Sequence, residues 1–285
     1  MSGGTTAVAG SDVVAAAVTA LFVPGNRPER FAKAAAAGAD VVIIDLEDAV
    51  SAADKAKALA AVVDALADGG LRALVRVNGA DELTHDAEIA ALLDLTSRPD
   101  HGLLGLVLPK ADDPARLSLL RQRLPEELAL MPLIESAAGV VHALELARVP
   151  GITRLAFGAI DFALDIDASG EDRFLDHARS QLVLASRAAG IAAPLDSPCV
   201  EIHDQHTIGE SASLARKFGF GGKLCIHPRQ VGFVSSAFEP SETEVAWALS
   251  VVGAEGSAVQ VGGQMIDRPV TDRAKRILAK AGKGL

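Results

Sequence analysis

Cysteine, basic charge and long apolar runs are all scarce in this chain, and each shortage narrows what it does. Its 285 residues include only two cysteines, Cys199 and Cys225, and no CxxC pair, so a disulfide framework is not expected and a reducing compartment fits. Acidic residues outnumber basic ones, 37 to 27, and a formal charge of −10 lacks the basic excess of a general nucleic-acid surface. That balance still leaves room for a small basic pocket that takes a phosphorylated ligand. The apolar stretch from Val13 to Val23 is too short to span a bilayer and ends at Pro24-Gly25, and nothing before it has the basic start of a signal peptide. A cytoplasmic protein without nucleic-acid or membrane partners is expected. GxGxxG and Walker A sequences are also missing, which argues against the common dinucleotide and P-loop sites.

What is present is a large apolar fraction, 49%, arranged as short runs between Ala/Leu-rich segments of helical period. That alternation marks a parallel sheet built from βα units. Eight runs qualify: Ala20–Val23, Val41–Leu46, Ala73–Val77, Gly105–Leu108, Ala129–Ile134, Leu155–Phe157, Ile191–Leu195 and Lys223–Ile226. Val41-Val42-Ile43-Ile44 and Leu103 to Leu108 are apolar on both faces, as strands covered by helices must be. Segments such as Asp54–Asp68 and Ala138–Arg148 supply helices. The last run leads into Gly232–Phe238 and Ser241–Val252, with Ser241 and Glu244 spaced as a capping box. The expected fold is α/β, a (β/α)8 TIM barrel over 19–252, with a doubly wound sheet as the alternative. Residues 1–18, rich in Ala, Gly and Ser, read as a flexible N-terminal segment. Gly253–Gly263 reads as a loop and Asp267–Lys280 returns to helical spacing, so 253–285 forms a C-terminal helical extension beyond the barrel.

Each run ends in polar residues: Asn26-Arg27, Asp45-Leu46-Glu47-Asp48, Arg76-Val77-Asn78, Pro109-Lys110, Glu135-Ser136, Ile160-Asp161, Asp196-Ser197 and His227-Pro228. In a barrel these share the C-terminal rim, where barrel enzymes place their chemistry. Five acids, Asp45, Glu47, Asp48, Glu135 and Asp161, crowd that rim and call for a cation or basic partners. Oxygen-only ligands select a hard ion such as Mg2+. For Asp45 and Asp48, helix capping or a salt bridge stands beside a site role. Glu135 ends a wholly apolar strand and is the acid least explained by structure alone. Arg76 should point into the barrel mouth, either pairing with the acids or binding a substrate carboxylate or enolate oxygen. Arg27, Arg30 and Lys33 give the first strand–helix junction a local positive charge: a solvated helix face or a phosphate attractor. His203 and His206 lack a nearby third ligand for zinc, and the two cysteines read as ordinary buried thiols.

Several segments together resemble the HpcH/HpaI aldolase–citrate lyase family. They are Leu21-Phe22-Val23-Pro24-Gly25-Asn26-Arg27-Pro28, Ile44-Asp45-Leu46-Glu47-Asp48-Ala49-Val50, Val75-Arg76-Val77-Asn78, Leu108-Pro109-Lys110, Leu133-Ile134-Glu135-Ser136, Phe157-Gly158-Ala159-Ile160-Asp161-Phe162, Cys225-Ile226-His227-Pro228 and Met265-Ile266-Asp267. They run in family order over most of the chain, and the citrate lyase β-subunit-like and malyl-CoA lyase-like branch is the nearest likeness. The resemblance implies Mg2+, or Mn2+ in its place, held by Glu135 and Asp161. It implies Arg76 on the substrate with Glu135, and Glu47 and Asp48 as supporting acids. It further implies that Phe22, Arg27, Lys33, Ile226 and His227 line the path of a CoA thioester. Asp267, in the extension, would reach the active site of a neighbouring subunit of a homo-oligomer, a trimer or hexamer.

The reaction so implied is reversible Claisen-type cleavage of a 3-hydroxyacyl-CoA of malyl-CoA or citramalyl-CoA type to acetyl-CoA and a 2-oxo acid. Arg76 would stabilise developing negative charge and Asp267 would act as general acid/base. Three alternatives stay open: a citrate lyase β subunit acting on a carrier-bound citryl thioester, an acyl-CoA thioesterase using the same site, and a non-catalytic CoA-binding paralogue.

Overall fold

A computed structural model of the chain describes residues 9–169, 172–253, 260–261, 264–265 and 267–282. Its strands are β1 (Thr19–Pro24), β2 (Val41–Asp45), β3 (Ala73–Arg76), β4 (Leu103–Leu108), β5 (Ala129–Ile134), β6 (Arg154–Phe157), β7 (Ala192–Asp196) and β8 (Gly222–Cys225). They form one closed barrel in sequence order, every neighbour parallel and β8 pairing back to β1. Side chains alternate between the two faces of a strand. Ala20, Ile43, Leu74, Met131, Leu133, Ala156, Leu195 and Leu224 fill the interior. The intervening Val42, Ile44, Leu130, Ile134, Leu155 and Phe157 are buried as well. Double-sided burial explains why the strands read as apolar runs, and the eight runs of the sequence are the eight strands. The doubly wound alternative is excluded by the β1–β8 closure.

The N-terminal segment departs from expectation. Residues 1–8 lie outside the described part, but Gly10–Ala16 is a helix with Val14 fully buried. It packs on β4, β5 and β7, and Val14 and Ala17 join the cluster inside the barrel, so the helix forms the floor of the N-terminal end. Gly10 is needed there: a Cβ would stand 2.1 Å from the Leu104 carbonyl oxygen. Arg154, 1% exposed, secures the helix end by donating from Nη1 to the Val14 and Ala17 carbonyls at 3.0 and 2.6 Å, and from Nε to Ala193 at 3.0 Å. A short Ala-rich segment is ordered by tertiary contacts rather than by its own propensity.

The chain divides into two compact units, 1–235 and 236–285. In the second, Glu242–Gly253 starts with the expected capping box, Ser241 Oγ accepting from Glu244 N–H at 3.2 Å and Glu244 Oε2 accepting from Ser241 N–H at 2.8 Å. This helix packs on Arg268–Lys280 through Ala248, Val251, Ala274, Ile277 and Leu278. Most of the Gly253–Gly263 stretch, read as a loop, lies outside the described residues. Among those residues, no helix is long and apolar enough to cross a membrane.

Candidate active site

The rim charges sort into a paired group and an unpaired one. β2 and β3 place Asp45 beside Arg76 in register. Arg76 grips Asp45 with two hydrogen bonds, Nε to Oδ1 at 2.7 Å and Nη2 to Oδ2 at 2.8 Å. Its Nη1 lies 2.8 Å from Glu47 Oε2 and 3.8 Å from Asp48 Oδ2, and the guanidinium rests over the Phe22 ring with 5.0 Å to the centroid. Burial works to lower the Arg76 pKa, but the hydrogen bonds and charge of Asp45, then Glu47, outweigh it and raise it. Asp45 forms the salt bridge weighed for it. Besides pairing with Arg76, it accepts from the N–H groups of Glu47 and Ala49 at 2.9 and 3.1 Å, folding the turn that carries Glu47 and Asp48. That turn is pinned from behind: Asn78 Nδ2 and Lys55 Nζ both reach the Leu46 carbonyl at 3.0 Å.

Lys110 links the two groups. Its Nζ donates to Glu47 Oε1 at 2.9 Å and its backbone N–H to Glu135 Oε1 at 2.7 Å. Glu135 is 3% exposed, and its other oxygen, Oε2, is buried without a hydrogen-bond partner. Burial pushes the Glu135 pKa up to about 8; the Lys110 N–H opposes this, and the charges of Glu47 and Asp161 add to it. Gly158 makes room for the carboxyl group, since a Cβ there would stand 2.6 Å from Oε2. Asp161 follows in the first turn of Ala159–Asp165, whose leading N–H, that of Ala159, is held by Ser197 Oγ at 3.1 Å. Among the described residues no hydrogen bond or ion pair engages the Asp161 carboxylate.

Glu135 and Asp161 line a cavity of about 480 Å3 in the barrel mouth together with Phe22, Asp48, Arg76 and Ile226. They also line a neighbouring cavity of about 530 Å3 with Lys110, Arg116 and Ser136. A divalent cation fits here on the chemistry of the donors: one orphaned carboxylate oxygen, a second free carboxylate, and a bare glycine beside them. No group of three His, Cys, Asp or Glu side chains among the described residues forms a metal cage. Two carboxylates completed by water and substrate is the way Mg2+ is bound, and Ca2+ and Zn2+ sites ask for more protein ligands.

The remaining site residues divide. Phe22 and Ile226 face the mouth cavity. His227 Nδ1 accepts from the Arg229 N–H at 3.2 Å, and burial and then the charges of Arg229, His203 and Lys33 lower its pKa. Arg27, by contrast, turns its guanidinium to Glu29 at 2.6 Å. Asp267 lies in the second unit as the N-cap of Arg268–Lys280, Oδ1 accepting from Val270 N–H at 3.1 Å. His206 stands 3.4 Å from Glu210. One residue that sequence reasoning missed is Gln230, 1% exposed. Its Oε1 accepts from Ile226 and His227 N–H at 2.8 and 3.2 Å, and its Nε2 donates to the Cys199 and Glu201 carbonyls at 2.7 and 2.9 Å. All its polar capacity is spent tying the loop after β7 to the loop after β8. The only sequence signal was a polar residue in the first turn after His227-Pro228.

The HpcH/HpaI aldolase/citrate lyase family model matches residues 19–228. A citrate lyase subunit beta-like protein of Deinococcus radiodurans is 35% identical over 91% of this chain and 95% of its own length. An L-malyl-CoA/beta-methylmalyl-CoA lyase of Cereibacter sphaeroides is 32% identical, covering 92% of this chain and 93% of its own. Among solved structures, CitE of Mycobacterium tuberculosis in complex with magnesium, acetoacetate and coenzyme A superposes with a TM-score of 0.82 at 35% identity, over 94% of this chain and 98% of that one.

Proposed function

The chain belongs to the HpcH/HpaI aldolase/citrate lyase family and is a carbon–carbon lyase, and we propose that it uses Mg2+ to cleave a 3-hydroxyacyl-CoA of malyl or citramalyl type. The observation that carries this reading is the sorting of rim charge. Arg76 and Lys110 neutralise Asp45 and Glu47, while Glu135 Oε2 and Asp161 are left free side by side at the mouth. The magnesium, acetoacetate and coenzyme A bound by M. tuberculosis CitE support Mg2+ and a CoA thioester for this chain.

Glu135 and Asp161 would hold the cation, which would supply Lewis acidity to the substrate. The bond that breaks joins the carbinol carbon to the methylene next to the thioester. The hydroxyl gives its proton to solvent water at the mouth and becomes the carbonyl of a 2-oxo acid; the methylene carries away the electron pair as the enolate of acetyl-CoA. Arg76, kept charged by Asp45 and Glu47, stabilises the negative charge that develops on oxygen. Phe22 and Ile226 guide the pantetheine arm, and Arg27, Lys33 and His227 meet the CoA phosphates. Asp267 of a neighbouring subunit, in a trimer or hexamer joined through the extension 253–285, delivers a proton to the acetyl carbon in the cytoplasm.

A panel assay of the purified chain tests this reading, with free thiol and 2-oxo acid followed separately. The expected outcome is 2-oxo acid formation from malyl-CoA or citramalyl-CoA, abolished by EDTA and by Glu135→Ala or Asp161→Ala. Thiol release without 2-oxo acid would make it a thioesterase. Activity only on a carrier-bound citryl thioester would make it a citrate lyase β subunit. CoA binding with no turnover would leave a non-catalytic paralogue.

A further inference from the structure

Lys110, two residues beyond β4, has a backbone φ of 50°, a left-handed conformation that a side-chain-bearing residue keeps only where its surroundings hold it. Two contacts do so here. The backbone N–H donates to Oε1 of Glu135 at 2.7 Å, and the ammonium reaches Oε1 of Glu47 at 2.9 Å. The other oxygen of Glu47 faces Arg76 Nη1 at 2.8 Å. Glu47 therefore has a cation against each oxygen, Lys110 by a hydrogen bond at Oε1 and Arg76 by charge alone at Oε2, which makes no hydrogen bond. Glu135 is closed on one oxygen by a neutral donor and open on the other. A single residue thus sets how many carboxylate oxygens this corner of the mouth offers to a divalent ion. Mg2+ binds one or two carboxylates and retains its waters, whereas Ca2+ is larger, accepts roughly six to eight oxygens and gains from each added carboxylate.

We infer that Lys110 is the specificity-determining residue of the cation site: by withholding Glu47 and one oxygen of Glu135, it limits the site to two carboxylates and favours Mg2+ over Ca2+. The inference rests on Glu135 and Asp161 being the cation ligands. Its distinctive consequence is that the ammonium, 58% exposed as a side chain and outside the reaction itself, controls the choice of ion. Without it, Glu47 Oε1 is left buried beside Glu135 with no partner, and the most direct remedy is a cation with a larger, more flexible shell.

Lys110→Met keeps the stem and the left-handed backbone and removes only the ammonium. Mg2+ and Ca2+ are titrated separately against Mn2+ bound to the purified chain and followed by the free Mn2+ EPR signal, so no turnover is involved. In Lys110→Met the ratio of Ca2+ to Mg2+ affinity is expected to rise about tenfold. Lys110→Arg holds it near the starting value, and adding Glu47→Gln to Lys110→Met brings it back. An unchanged ratio in Lys110→Met, or a raised ratio that survives Glu47→Gln, overturns the inference. Glu135→Gln separates the two levels. Mn2+ binding that survives it removes the ligand assignment and the inference together. Binding lost in Glu135→Gln with an unaltered ratio in Lys110→Met removes the inference alone. Should Lys110→Met fail to fold, Lys110→Gln carries the same comparison.

Discussion

Each end of the barrel buries an arginine, and the two are treated in opposite ways. At the mouth, Arg76 is surrounded by carboxylates, gripped by Asp45 and faced by Glu47. At the floor, the hydrogen-bond partners of Arg154 among the described residues are carbonyl oxygens, those of Val14, Ala17 and Ala193. The electrostatics follow the partners. The acids raise the Arg76 pKa against the effect of burial, whereas burial, opposed only by the charge of Asp40, pushes Arg154 down to about 10. Arg154 uses its donors to hold a helix end and offers nothing to a ligand. Arg76 neutralises the acids that would otherwise compete for a cation, and its position decides which carboxylates stay free. The same side chain is a staple at one end and a charge organiser at the other.

Substitutions at the two arginines should separate these roles. Arg76→Met has the largest expected effect. It leaves Asp45 buried without its partner, so stability should fall by about 3–5 kcal/mol and turnover by about a hundred- to a thousandfold. The double variant Arg76→Met/Asp45→Asn sharpens the point: denaturant titration should show most of the stability restored, while the assay shows no recovery of activity. Stability that stays low in the double variant would mean the pair is not the source of the loss. Arg154→Met should cost on the order of 3 kcal/mol, because it removes charged donors from buried carbonyls. The kcat of the folded protein should not change. A drop in kcat at constant folded fraction would break the division between floor and mouth.

Smaller effects are expected where the rim is shaped rather than charged. Gln230→Met unties the loops after β7 and β8 and should raise the KM for the CoA ester about tenfold, a cost of about 1.4 kcal/mol, with Mg2+ affinity unaltered. An equal fall in kcat with KM constant would show that Gln230 serves the chemistry instead. The smallest effect concerns Cys225, fully buried on β8, whose pKa burial pushes up to about 12. Iodoacetamide at pH 8 should modify it only after denaturation; rapid labelling of the native protein would show that β8 opens.

Much of this architecture was legible in advance, and the misses have definite causes. The eight strands stood out because burial on both faces turns each into a continuous apolar run. The rim acids stood out because they follow those runs directly. Arg76 was expected to point into the mouth, and it does. The floor helix was missed because Gly10–Ala16 has neither a long apolar stripe nor a side-chain cap, and its order comes from Arg154 and the barrel interior. The segment Ala138–Arg148, expected as one helix, is two, Ala137–Val141 and Ala143–Ala147, broken at His142, whose Nδ1 lies 2.8 Å from the Asp112 carbonyl. Gln230 was missed because nothing local distinguishes a buried amide with four backbone partners from an ordinary first-turn glutamine.

By itself the sequence determined the eight strands, their alternation with helices and the rim on which the acids gather. These depend on short-range periodicity and on which residue follows the last buried position of a strand. Only the tertiary structure decided which of the five acids are spent and which are free. The pairs that settle it span the chain: Arg76 and Asp45 are 31 residues apart, Lys110 and Glu47 are 63, and at the floor Arg154 and Val14 are 140. An ion pair acts over a few ångströms in space, whatever the separation along the chain. Its partners are therefore chosen by barrel closure and strand register, which no local pattern encodes.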